Sequence, residues 1–240
     1  SGDAELLVHY PQGGTRTLSL NGAIYAKGLT KTGTGIASLR NNTNVIQGAV
    51  MIWEGTLRVD NNGNGLEPDT TVFVANGATY DILAPLGNAE TNAVVSGSGT
   101  INIAAGKTLA VTNRLECGDG QSSLLVTGTG TLRLTASAAA VFALDYATDT
   151  PLDPRLAAGS STLDLVGTPK VVVASVENLP SGDFEKTFTL IQFGGRSGAF
   201  ADTVECPAGL KGTLSYDDTA KIISVTLTRS KAKGSVIALR

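Results

Sequence analysis

Gly28-Leu29-Thr30-Lys31-Thr32-Gly33-Thr34-Gly35, followed about twenty residues later by Trp53-Glu54-Gly55-Thr56-Leu57-Arg58-Val59, is the stretch on which the reading of this chain turns. Its first half recurs as Val95-Ser96-Gly97-Ser98-Gly99-Thr100-Ile101-Asn102-Ile103 and as Val126-Thr127-Gly128-Thr129-Gly130-Thr131-Leu132-Arg133-Leu134. In each copy a Gly-x-Gly corner feeds a short alternating strand. A single-glycine version recurs as Asn76-Gly77-Ala78-Thr79-Tyr80-Asp81-Ile82 and as Ala105-Gly106-Lys107-Thr108-Leu109-Ala110-Val111. One such unit cannot bury its own apolar face, so it must stack on copies of itself, and the repeat predicts a solenoid.

The spacing says which kind. Thr17, Ile36, Thr56, Thr79 and Thr100 mark equivalent strand positions, and they lie 19, 20, 23 and 21 residues apart. That is the length of one β-helix coil. The predicted fold class is all-β, a right-handed parallel β-helix over residues 1 to 228, closed by a hairpin at Gly212–Tyr216 and Ile222–Leu227 that protects the last open edge. Stacked about 4.8 Å apart, coils of this length would give roughly 11 or 12 turns in a rod of about 50 Å. Asn41, Asn42, Asn44, Asn61, Asn62 and Asn64 fall in the corners, where asparagine tolerates left-handed backbone and can bond to the next coil.

Between the repeats the pattern is looser. Ala4 to Tyr10 reads as an apolar strand closed by Pro11-Gln12-Gly13-Gly14, and Thr15 to Leu20 as the next one. Ala136 to Leu144 suits a short helix or a strand of small residues, and Asp145 to Pro154 is an acidic, proline-punctuated loop leaving the rod. Residues 229 to 240 form a basic linker and a short apolar strand.

Composition sets the outer limits. The chain has 240 residues, 42% of them hydrophobic but only 16% charged, with 29 glycines, so Thr, Ser and Asn must cover much of the surface, as in secreted β-proteins. The net charge of −3, with no basic stripe, argues against nucleic acid as a partner. No apolar run approaches the roughly 18 residues a membrane-spanning helix needs. The start at Ser1-Gly2-Asp3 lacks an apolar signal core and reads as a mature or excised beginning. Cys117 and Cys206, without Cys-x-x-Cys spacing, suit buried thiols or one disulfide rather than a metal site.

Gly28 to Val59 resembles the autotransporter-associated β-strand repeat, also called the passenger-associated transport repeat, of large bacterial surface proteins. The matching residues are Leu29-Thr30-Lys31-Thr32-Gly33-Thr34-Gly35, Gly48 and Glu54-Gly55-Thr56-Leu57. Phe188-Thr189-Leu190-Ile191, Gly198-Ala199-Phe200 and Pro207-Ala208-Gly209-Leu210 through Asp217 are similar to the closing coils of such proteins. The resemblance implies an extracellular or cell-surface β-helix and no particular activity.

Residues able to carry chemistry are few. His9 is the only histidine, which disfavours a Ser/His/Asp triad, and no Gly-x-Ser-x-Gly elbow is present. The Gly-x-Gly corners lack the helix a phosphate site requires, and no cofactor motif is found. Asp145, Asp149 and Asp153 are the best acidic cluster, able in principle to hold a cation or serve a sugar, with Trp53 as a stacking surface for a glycan. A solvated loop and surface packing are the plainer roles for both, and the chain is expected to hold no metal.

An apolar strand on a linker is suited to pairing with a sheet edge. Leu6, Leu7 and Val8 at one end and Val236, Ile237 and Leu239 at the other are therefore the candidate assembly contact. The expected function is a non-enzymatic structural or adhesive module, assembling as a homo-oligomer or fibre, with a surface glycan or host ligand as a further partner. The alternative is a carbohydrate-active enzyme or glycan-binding module.

Overall fold

A computed structural model describes residues 2–7, 16–41, 43–60, 66–84, 86–118, 122–148 and 154–229. The marker residues form a single column: Thr17 pairs with Ile36, Ile36 with Thr56, Thr56 with Thr79 and Thr79 with Thr100, all in parallel. The chain is a parallel β-helix.

Three ladders run along it. The first is built from β1 (Ala4–Leu7), β4 (Leu29–Thr32), β7 (Ala49–Ile52), β9 (Thr71–Val74), the later parts of β11 (Ala89–Gly97) and β13 (Thr108–Cys117), then β16 (Ala139–Asp145), β18 (Lys170–Glu177) and β20 (Val204–Glu205). The second contains β2 (Thr17–Leu20), β5 (Ile36–Leu39), β8 (Thr56–Val59), β10 (Thr79–Ile82), β12 (Thr100–Ile103), β14 (Leu124–Thr127), the start of β17 (Leu156–Leu165) and the middle of β19 (Phe184–Ser197). The third joins the early parts of β11 and β13 to β15 (Thr131–Leu134) and to the ends of β17 and β19. In the first coils β3 (Tyr25–Ala26) and β6 (Val45–Ile46) pair separately at the equivalent point of the chain.

Alternation sends every second side chain inward. Leu57 and Val59, Tyr80 and Ile82, and Ile101 and Ile103 stack on one another with no exposure at all. Leu109 and Val111 stack likewise on Leu132 and Leu134 in the third ladder. Each such side chain contributes roughly 1.5–3 kcal/mol by leaving water, so the stack, not any single coil, holds the fold.

Among the described residues the stack has fewer steps than the repeat suggests. The first ladder has nine described strands, about 38 Å at 4.8 Å per step. The later coils are longer: Leu125 pairs with Ala157, and Ala157 with Gln192, because excursions after β16 and β18 lengthen each turn. The expected excursion after Asp145 begins with a turn at Tyr146 to Thr148, while residues 149 to 153 lie outside the described residues. The ambiguous segment before it is a strand, β16.

The closing hairpin is antiparallel, as expected, and consists of β21 (Lys211–Asp217) and β22 (Ile222–Arg229). β22 lies antiparallel along β19 from Phe184 to Gln192 and covers the last strand of the second ladder. Asn41 and Asn44 reach back one coil, to the Asn21 carbonyl at 2.9 Å and the Ile24 amide at 3.0 Å, but neither has the expected left-handed backbone. Asn42, Asn61, Asn62 and Asn64 lie outside the described residues.

Glycine is required where coils touch. Gly97 has a φ of 116°, and a Cβ there would sit 2.0 Å from the Val74 carbonyl oxygen of the previous coil. Gly77 has a φ of 82°, yet a Cβ there meets nothing within 4 Å. Gly77→Ala should therefore cost about 1–2 kcal/mol, for the left-handed backbone alone, and Gly97→Ala roughly 3 kcal/mol or more. Chemical denaturation of the two variants checks the difference; equal losses would contradict the stacked corner.

Candidate functional site

The outward side chains of the first ladder form an apolar ledge and a cleft. Trp53 follows β7, is 49% exposed, and tilts against Phe73 with ring centroids 5.2 Å apart. Met51 is the register partner of Phe73, so an apolar ledge results. Further along the same ladder a cleft of about 340 Å³ is lined by Arg114, Ala139, Val141, Lys170, Val172 and Glu205, among others. Ala139 stands between Arg114 and Lys170 in the register and leaves the gap. Lys170 Nζ pairs with Glu205 Oε1 at 2.8 Å, a bond that raises the lysine pKa, and Arg114 Nε pairs with Glu116 Oε1 at 2.8 Å. Both cations at the cleft are thus already matched by carboxylates.

Asp145 ends β16 and is 4% exposed. Its Oδ1 accepts from Asn178 Nδ2 at 2.9 Å and from the Ala147 amide at 2.8 Å, and Oδ2 from Thr148 Oγ1 at 2.9 Å. Foremost among the causes, the Asn178 bond holds this carboxyl down at about 2, against 3.8 unperturbed. Such a group fastens the turn after β16 to the next coil. Asp149 and Asp153, its expected companions, lie outside the described residues, as does His9. Trp53 sits beyond the third strand of the ladder and Asp145 at the end of the seventh, about 19 Å of stacking apart, so the two are not brought together.

Of the candidate assembly residues, Leu6 and Leu7 lie in register with Lys31 and Thr32, on a strand that pairs only with β4 among the described strands. Val8, Val236, Ile237 and Leu239 lie outside the described residues. Cys117 and Cys206 are both free thiols, Cys117 buried and Cys206 partly so. They belong to the sixth strand of the first ladder and the residue after the ninth, which places them about 14 Å apart along the stack, beyond the Cα separation of roughly 4.4–6.8 Å a disulfide allows. Burial raises the pKa of each thiol.

Several polar groups were not anticipated from the sequence. Lys31 points inward and is fully buried, and its ammonium donates to the carbonyls of Thr32 at 2.7 Å, Gly33 at 2.5 Å and Glu54 at 2.9 Å. Burial lowers its pKa, and the neighbouring Glu54 carboxylate opposes that shift. Buried Tyr80 donates within reach of Glu90 Oε1 and Asn92 Oδ1, both at 3.1 Å, and Glu90 Oε1 also accepts from the Leu66 amide at 3.2 Å. On the outside of the second ladder Arg58 bonds Asp81 at 2.7 Å, Asn102 bonds Asp81 at 2.8 Å and Thr127 bonds Asn102 at 3.2 Å. Arg133, Asp164 and Ser197 repeat the device on the third, with bonds of 2.7 and 2.5 Å. Counting forward in register from Arg58 would have aligned the first set.

These arrangements fasten coil to coil. Among the described residues no three His, Cys, Asp or Glu side chains converge as a metal site would need, and no helix is long and apolar enough to cross a membrane.

The low pKa of Asp145 carries a sign. Its contribution to stability is fully present above about pH 4 and is lost as pH falls toward 2, because the unfolded chain takes up the proton first. Asp145→Asn should therefore be less stable than the native chain at neutral pH, with the difference shrinking as pH falls from about 4 through 2. Denaturation curves across that range decide it; a constant difference would contradict the assignment. Comparison of the chain with protein-family models, with curated proteins and with solved structures finds no match.

Proposed function

We propose that this protein is a non-enzymatic, extracellular β-helix, a structural or adhesive module of a bacterial surface, related to the autotransporter-associated repeat proteins that Gly28 to Val59 resembles. It associates end on, through exposed strand edges. The observation that carries this reading is the single pairing of the first strands at the N-terminal end of the stack, beside uncovered apolar side chains. At the C-terminal end an antiparallel hairpin lies over the last coil. At the N-terminal end β1, β2 and β3 each pair with one neighbour only among the described strands.

Leu18 sharpens the contrast. It stands in the inward column above Ala37 and Leu57, both completely buried, yet it is 42% exposed, and nearby Tyr25 is 68% exposed. Unpaired backbone beside uncovered apolar side chains is the composition of a strand-pairing surface. The outer faces support the other half of the reading, since the pairs Arg58–Asp81, Arg133–Asp164 and Lys170–Glu205 join neighbouring coils and Trp53 and Phe73 form an apolar ledge.

Leu18→Lys tests the assembly directly, because it places a charge at an exposed position without disturbing the buried column below. Electron microscopy of the native chain should show rods joined at their N-terminal ends, and the variant should lose that contact while keeping its circular dichroism spectrum. Native rods that never touch at this end, or a contact indifferent to Leu18→Lys, would overturn the reading.

A further inference from the structure

The outermost strand of the cap, β21, reads Lys211-Gly212-Thr213-Leu214-Ser215-Tyr216-Asp217. We propose that this strand is a self-complementary docking edge and that its partner is β21 of a second copy of this chain, paired antiparallel about a two-fold axis through Leu214. The proposal deepens the end-on association put forward above by naming a surface and a partner for the opposite end.

Among the described strands the edge has no second partner, and it is regular: β21 pairs with β22 alone, through seven consecutive residue pairs without a bulge. Natural edges are normally blunted by proline, by a bulge, by brevity or by charged side chains; this one has no proline or bulge, and its charges, Lys211 and Asp217, stand only at its two ends and are of opposite sign. Its side chains alternate between two faces. Gly212, Leu214 and Tyr216 turn toward the body, while Lys211, Thr213, Ser215 and Asp217 are exposed.

Antiparallel pairing centred on Leu214 matches the sequence with itself. Lys211 falls opposite Asp217 of the second copy, Gly212 opposite Tyr216, Thr213 opposite Ser215, and Leu214 opposite Leu214. Side chains directly opposite in an antiparallel pair have Cβ atoms about 4.5–5.5 Å apart, so each dimer gains two ion pairs on its exposed face and a Thr–Ser pair beside each. On the inner face Gly212 packs directly against Val204 and Cys206 of its own chain, which a Cβ there would meet at 3.0 and 2.9 Å, so Tyr216 of the second copy adds no contact in that space and the pairing rests on the backbone and the exposed face. The Tyr216 ring is already fixed within its own chain, its hydroxyl accepting from the Phe200 amide at 3.0 Å and the Arg196 guanidinium lying 4.7 Å from its centroid.

The charges at the two ends are available. Lys211 is exposed at the rim of an open cleft with Gly209, Leu210 and Thr228. Asp217 uses Oδ1 to hold the amides of Thr219 at 2.9 Å and Ala220 at 2.8 Å in the hairpin turn, and Oδ2 takes no bond from the described residues. Because the surface is identical on both partners, the contact closes at two copies rather than growing into a fibre. The pair carries its two N-terminal ends pointing away from each other.

The test uses the full-length chain carrying Leu18→Lys, so that only the C-terminal contact remains, with mass read by analytical ultracentrifugation over a concentration series at low salt. This chain should be a dimer, twice the 24.5 kDa of one copy. Adding Lys211→Asp puts aspartate opposite aspartate twice and should weaken the dimer at least about tenfold, an effect that shrinks as salt rises. Asp217→Lys should weaken it as well, with folding verified by circular dichroism because Asp217 also holds the turn. A one-to-one mixture of the two variants puts aspartate opposite lysine at both ends and should restore the dimer. A monomeric chain at every concentration, a dimer indifferent to Lys211→Asp, or two folded variants that do not combine would overturn the proposal. Failure of the N-terminal contact alone would show as Leu18→Lys having no effect on mass, and leaves the Lys211→Asp comparison intact.

Discussion

Each coil of this protein must give its backbone hydrogen bonds to the coil before it and the coil after it. An isolated coil has three short strands and no partner for any of them, so buried backbone polar groups would go unpaired at a cost no single coil can meet. Everything else follows from keeping that pairing in register. The Thr17 to Thr100 column holds one residue position through five successive coils, and the inward columns of Leu, Val and Ile are its consequence. A slip of one residue would turn each apolar row outward, which is why register is so strongly specified here.

The polar residues in the stack obey the same rule. Lys31 occupies the column that Ile52 and Val74 fill in the next coils, and it is tolerated because three corner carbonyls receive its ammonium. Glu90 and Asn92 stand where Leu109 and Val111 stand one coil later, and Tyr80 and the Leu66 amide meet them. Outside, the Arg58–Asp81–Asn102–Thr127 chain and the Arg133–Asp164–Ser197 chain link residues that no turn of sequence brings close. Among the described strands, edges with a single partner lie at the ends of the stack.

Much of the fold was legible because the repeat exposes its own period. Thr17, Ile36, Thr56, Thr79 and Thr100 pair as the spacing indicates, and the hairpin after Lys211 closes the stack as its alternation indicates. The number of coils was not legible, since the period holds only until Thr100 and later coils absorb excursions that carry no glycine signal. Nor was the face of each strand. Gly97-Ser98-Gly99 turns the chain from the first ladder to the second, whereas Gly128-Thr129-Gly130 turns it from the second to the third, although the two motifs look alike. Asp145 illustrates the same limit for sites: three aspartates spaced four apart looked like one cluster, but the first is held by Asn178 from the next coil, a contact invisible in linear spacing.

The central claim is that residues far apart in sequence are separated by a fixed count of stacked strands. It is tested most directly by spin labels at positions 51 and 172, in a chain whose own two cysteines are replaced. Met51 and Val172 share one outward row, which runs through Phe73, Ser96, Glu116 and Val141. Five steps separate them, so pulsed dipolar spectroscopy should give a narrow distribution centred near 24 Å, broadened only by the label arms. A broad distribution, or a mean beyond about 35 Å, more than seven steps of stacking, would contradict the stack.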